Sequence, residues 1–339
     1  MGRRWREAAL AVVLAVVTAC AGGGGHTASH SQPARPGSSP AAGREPEPAW
    51  IITAGSLPRL AAAGLALPVL DADFDNPDTL VLGRGRIDGF MPHASPAMVF
   101  TSETSLAHAL SAGQVPATVT WVLLDLEHWP LTPADEQADP IGALRKAVAA
   151  AHAYGKKVLF TPAADLLSVL APGTPAAARA AAFDRLVVGP GAAAADGFEV
   201  QSQQTEGTAD AATFVAQAVA AARAARPGAP VLAGLSTNPD GRQVTAADLL
   251  MVYRAARSAG ATGFWLNIPQ SSAECPRCGT PQTPVAVAFL RALGTAPARA
   301  RLPAGSGPCG QGAARGRGSQ CPIGPAWSAM TRPMTRRGL

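Results

Sequence analysis

The chain has 339 residues, 47% of them hydrophobic and only 15% charged, which is ample for a large core and excludes a disordered chain. Its formal charge of +5 sits at the ends: Arg3, Arg4 and Arg6 at the front, and seven arginines with no acid from Arg299 onward. The long segment between is mildly acidic, which excludes a nucleic-acid-binding core.

The first element is an address. Three arginines precede the short apolar run "AALAVVLAVVTA", too short for a comfortable membrane span. Val17-Thr18-Ala19-Cys20 resembles the bacterial lipobox. That resemblance implies that residues 1–19 are a signal peptide, that Cys20 is lipidated, and that the chain is extracytoplasmic and held to a membrane by its N-terminus. The other reading is an ordinary signal with an incidental Cys. Residues 20–49, rich in Gly, Ser and Pro, read as a flexible tether.

From Trp50 the apolar runs read as strands, each followed by a helix. "WIITAG" leads into "SLPRLAAAG", and "AMVFTS" into "ETSLAHALSAG", with Ser102 or Thr101 as cap. "TWVLLDLE" (120–127) precedes a helix opened by Asp139-Pro140 and stopped by Gly155. "KKVLFTP", "DGFEVQSQ", "APVLAGLSTNP" and "TGFWLNIP" follow, separated by Ala-rich helical stretches, and Thr245 with Asp248 forms a capping-box start. Continuous apolar strands alternating with helices predict a parallel sheet covered by helices. Seven strands are clear. An eighth falls within "RIDGFMP" (86–92) or "LPVL" (67–70), and eight predict an α/β fold of the (β/α)8 TIM-barrel kind over residues 50–297. No Gly-rich phosphate loop follows the first strand, which disfavours a doubly wound sheet. Residues 298–339 read as a disordered basic tail.

On a barrel, polar residues at the C-terminal ends of strands line the catalytic face. Here the strand ends supply Asp125 and Glu127, Glu199 and Gln201, Asn238, and Trp265 and Asn267. Alternation puts each pair on one side of its strand. Carboxyl pairs beside aromatic rings suit glycoside hydrolysis, in which one acid protonates the leaving oxygen and a second carboxylate supports the developing cation. The catalytic candidates are therefore Glu127, Asp125 and Glu199. The substrate-binding candidates are Trp129, His128, Gln201, Asn238, Trp265 and Asn267. The other reading of the acids is a structural network. His93 is a weaker candidate for the site. Asp71-x-Asp73-x-Asp75-Asn76 has part of a calcium-loop pattern but lacks its Gly and final acid, so no metal and no cofactor is expected. Ser236 lacks a nucleophile elbow.

Outside a reducing compartment Cys275 and Cys278 are expected to form a disulfide; redox and zinc roles are the alternatives, and the pairing of Cys309 and Cys321 is open. The Asp-x-Glu at the end of a central strand resembles family 18 chitinase-type and family 25 lysozyme-type glycoside hydrolases, as does Trp265 the late-strand Trp of family 18. That resemblance implies Glu127 as acid and Asp125 as its assistant. Thr120, Trp121 and Leu123 stand where the longer chitinase motif has further Asp and Gly. "DLEHWPLTP", "GLSTNPDGR" and "WLNIP…CPRC" resemble barrel lipoproteins of actinobacteria, a likeness that implies fold and location without a reaction. The expectation is a surface-anchored, carbohydrate-active hydrolase, alternatively a non-catalytic barrel that binds a saccharide or other polar ligand. Its partners would be a glycan and a membrane, with no nucleic acid, and the chain is expected to be a monomer.

Overall fold

The computed structural model describes residues 49–83, 91–203, 205–272 and 275–294. The expected signal, the tether up to residue 48 and the basic tail, with Cys20, Cys309 and Cys321, lie outside them, whereas Ala49 of the expected tether already bonds Asp78 and Phe264.

In chain order the elements are β1 (Trp50–Thr53), α1 (Ser56–Ala62), α2 (Leu67–Phe74), β2 (Thr79–Leu82), β3 (Ser95–Phe100), α3 (Glu103–Ser111), β4 (Trp121–Leu124), α4 (Ala134–Ala138) and α5 (Pro140–Ala153). There follow β5 (Lys157–Phe160), α6 (Leu167–Leu170), α7 (Ala176–Phe183), α8 (Gly189–Ala194), β6 (Gly197–Val200), α9 (Ala211–Ala225), β7 (Val231–Ser236), α10 (Ala246–Ser258), β8 (Gly263–Asn267) and α11 (Thr283–Gly294). The eight strands close into a parallel barrel in sequence order. The seam pairs Ile51 of β1 with Trp265 of β8. This is a TIM barrel.

The eighth strand is Thr79–Leu82, at neither expected place. Leu67–Leu70 opens α2 instead, with Pro68 in its first turn, where the missing N–H costs nothing. Two other expectations sharpen. Ser102 caps α3 by accepting from the Ser105 N–H, and Thr245 with Asp248 closes a reciprocal capping box on α10.

The core has two layers, sorted by strand alternation. Outward-facing Ile52, Val122, Leu124, Val158, Phe160, Phe198, Val200 and Leu235 pack under the helices. Inward-facing Ile51, Leu80, Leu82, Ala97, Trp121, Leu123, Leu159, Leu232 and Trp265 fill the barrel. Each buried Leu or Ile contributes about 1.5–3 kcal/mol. The inner plug is lopsided. Strands β1 to β5 fill it with apolar side chains, whereas β6 contributes Glu199 at the level of Leu232. No described helix is long and apolar enough to cross a membrane.

Candidate functional site

β4 delivers the two carboxyls. Its ladder continues beyond Leu124: the Asp125 N–H donates to Phe100 O (2.8 Å) and the Ala163 N–H to Leu126 O (3.0 Å). Alternation therefore persists, with Leu126 in the outer layer and Asp125 and Glu127 turned to the barrel axis. Asp125 is buried and Glu127 half-buried at the mouth. The Asp125 carboxyl accepts from Gln201 Nε2 (2.5 Å) and from Thr161 Oγ1 (3.2 Å). Gln201 also donates to Thr161 O (2.7 Å), so its amide plane is fixed.

Burial pushes the Asp125 carboxyl up to about 7, and the charge of Asp165 adds to this, while bonds from Thr161 and Gln201 work against it. Burial likewise pushes Glu127 up to about 8, helped by the neighbouring Asp125, Asp165 and Asp240 and opposed by Gln201. The pair shares its titration, so at neutral pH it holds at least one proton.

Below the mouth, Glu199 is fully enclosed. Burial first, then Asp125, Glu127 and Glu206, hold it well above the carboxylate range. Both its oxygens are without a hydrogen-bond partner, as are Gln203 Oε1, Ser236 Oγ and Trp265 Nε1, all buried atoms. Gly234 of β7 makes room for two of these groups: a Cβ there would collide with Gln203 Oε1 and stand 2.6 Å from Glu199 Oε1. Glu206 closes the cluster from behind, accepting the Ser236 N–H on both oxygens (3.0 and 2.8 Å). Burial holds it well above its ordinary range against the pull of Ser236 and Arg242.

The expected binding residues divide. Gln201 is part of the carboxyl network. Trp265, only 7% exposed, belongs to the inner plug and is a floor, not a surface platform. Trp129 is half-buried and its indole N–H donates to Thr132 Oγ1 (2.8 Å), while His128 is exposed with Nδ1 donating to Gln137 Oε1 (2.7 Å). Both shape the loop that follows Glu127. Asn238 is a clamp: its amide donates to Cys278 O (2.5 Å) and Pro269 O (3.3 Å), holding the turn closed by the Cys275–Cys278 disulfide. Asn267 lines an open hollow of about 520 Å³ with Thr53, Gly55, Arg59, Ile268, Pro269 and Gln270.

His93 lies before β3, at the barrel end opposite the mouth, and its N–H and Nδ1 both bond Asp75 (2.7 Å each). Asp71 and Asp73 are on α2. Among the described residues, no group of three or more His, Cys, Asp or Glu is placed to hold a metal ion.

Sequence reasoning finds Gln203 at the end of the run "DGFEVQSQ" but misses Thr161, Glu206 and Arg59. Thr161 follows the run "KVLF" directly and is open to the same strand-end rule that finds Asp125. Glu206 comes from a loop with no periodicity to read.

No family model and no curated protein matches the chain. Among solved structures it is similar to a truncated 3-deoxy-D-arabino-heptulosonate 7-phosphate synthase from Thermotoga maritima (11% identity, 73% of this chain and 86% of that one, TM-score 0.37). It is similar also to a class V chitinase from Pseudomonas fluorescens Pf-5 (11%, 72% and 98%, TM-score 0.41). A third is a sugar phosphate isomerase/epimerase from Parabacteroides distasonis (10%, 76% and 96%, TM-score 0.41). Likeness this slight, spread over three different chemistries, carries no functional information.

Proposed function

We propose that the barrel mouth hydrolyses a glycosidic bond, with Glu127 as general acid and Asp125 assisting it. The observation that carries this reading is the setting of Glu127. It is half-buried at the mouth, next to a buried carboxyl on the same strand face, and raised to about 8 by burial and by Asp125. A carboxyl that stays protonated at neutral pH and can still be reached from solvent is what a general acid requires.

Glu127 would give its proton to the leaving oxygen as the glycosidic C–O bond breaks, and its carboxylate would take a proton back from the water that adds to the anomeric carbon. Asp125, aligned by Gln201 and Thr161, would carry the negative charge that faces the developing oxocarbenium ion. Glu199 lies one layer deeper, enclosed in the barrel. The unpartnered Glu199, Gln203, Ser236 and Trp265 atoms are sealed beneath the mouth, out of reach of a sugar in this conformation. Left unmet, each costs about 1–3 kcal/mol.

The test is release of reducing ends from a panel of cell-wall and storage glycans by the full chain, beside Glu127→Gln. Turnover should peak between about 7 and 8, rising as Asp125 ionises and falling as Glu127 loses its proton. Glu127→Gln should lose roughly 10²–10⁴-fold in rate. Equal cleavage by the variant would remove Glu127 from the role. Binding of one glycan with no turnover would replace hydrolysis by the ligand-binding reading. Attachment to a membrane through Cys20 belongs to the same proposal. Its support is the residue pattern from Arg3 to Cys20, and partition of wild type but not Cys20→Ala into detergent tests it.

A further inference from the structure

We infer that the hollow beside Arg59 is an anion subsite that seats the carboxylate of an acidic sugar. The sugar rests on the hydrolase reading, whereas the anion stands on Arg59 itself. Arg59 reaches from α1 across the seam between β8 and β1. Its Nη1 donates to Gln270 Oε1 (2.8 Å), and its Nη2 to Ser56 Oγ (3.0 Å) and Ile268 O (3.5 Å). Every partner is neutral. Among the described residues no carboxylate pairs with Arg59, and its Nε is buried with no acceptor.

A guanidinium is charged at every accessible pH. Taking it part-way out of water with neutral acceptors alone leaves its charge uncompensated, which is costly. The same three bonds hold the planar fork in one orientation before any ligand arrives, so little further ordering is needed on binding. The hollow over it has about 520 Å³, with Thr53, Asn267 and Gln270 supplying a hydroxyl and two amides. That volume suits one or two sugar rings. A guanidinium pairs with carboxylate or phosphate, and the carboxylate is the anion that an acidic sugar brings to the hydrolase reading. Asn267 stands in register with Ser236 of β7, so the hollow lies at the C-terminal ends of the strands. Asp125 and Glu127 follow β4 at the same end of the barrel.

The experiment is calorimetric titration of the full chain with sodium glucuronate, with glucose as its neutral counterpart and inorganic phosphate as the competing anion. Glucuronate should bind at least roughly tenfold more tightly than either, since a charge-assisted pair at a partly desolvated site is worth a factor of that order. Arg59→Gln should abolish the difference, Arg59→Lys should keep part of it, and added salt should weaken glucuronate but not glucose. Equal binding of glucose and glucuronate, tighter binding of phosphate, or an unchanged preference in Arg59→Gln would overturn the subsite. If Arg59→Gln does not fold, the Lys variant and the salt series decide between these outcomes. Binding is read without turnover, so absence of an anion subsite and absence of hydrolysis yield different results.

Discussion

At Gly234 a single missing side chain decides what the barrel can hold. Gln203 Oε1 and Glu199 Oε1 both approach where its Cβ would be, and Glu199 sits in a closed interior with little room to retreat. Gly234→Ala should destabilise the fold by about 1–3 kcal/mol, the usual cost of overfilling a core, read from urea unfolding. It should also slow any turnover that depends on Glu199. At this scale the sequence is legible where charge breaks an apolar run. Asp125 and Glu127 stand out in "VLLDLE" because a buried strand end has no other reason to carry two acids. Trp265 is less legible, since the same position serves an inner plug or an exposed platform, and only the packing of Ile51, Leu80 and Leu123 beside it separates them. Glu206 is invisible because its role depends on a loop crossing behind β7 to reach the Ser236 N–H, which no local pattern records.

Among elements, the five-residue α4 does more than its length suggests. Glu136 reaches back to accept from the Glu103 and Thr104 N–H groups (2.7 and 3.2 Å) at the start of α3. Gln137, its neighbour, donates to Trp129 O (2.8 Å) and Thr132 O (2.7 Å) and accepts from His128. Two adjacent side chains thus latch the loop after Glu127 to the helix before it. Gln137→Ala should cost about 2–3 kcal/mol, three bonds at roughly 1 kcal/mol each, measured by chemical denaturation. It should lower activity without moving the pH optimum, because no titrating group is removed. Strand β2 shows the limit of reading elements from sequence. Thr79–Leu82 is four residues between "DNPD" and "GRGR", and its neighbours β1 and β3 supply the pairing that makes it a strand.

For the molecule as a whole, the buried acids tie folding to protons. Asp125, Glu127, Glu199 and Glu206 are all held above their ordinary values, burial being the main cause in each. Unfolding returns them to the ordinary range, so between there and about 8 the native state binds more protons than the unfolded one. By linkage, stability is greatest below the unfolded values and falls as pH rises through about 7 and 8. The melting temperature should be about 5–10 °C higher at pH 5 than at pH 8.5, and Glu199→Gln should flatten part of that slope. A melting temperature that rises over this range would mean the acids are ionised and compensated. The circular ladder has a consequence of its own. With Ile51 paired back to Trp265, every described strand is flanked on both sides, and among the described residues no sheet edge offers idle amides and carbonyls for a foreign strand to zip onto. Fibril-like growth from the barrel strands would first have to tear that seam apart, so aggregation that recruits them should follow the unfolding rate and not the protein concentration alone.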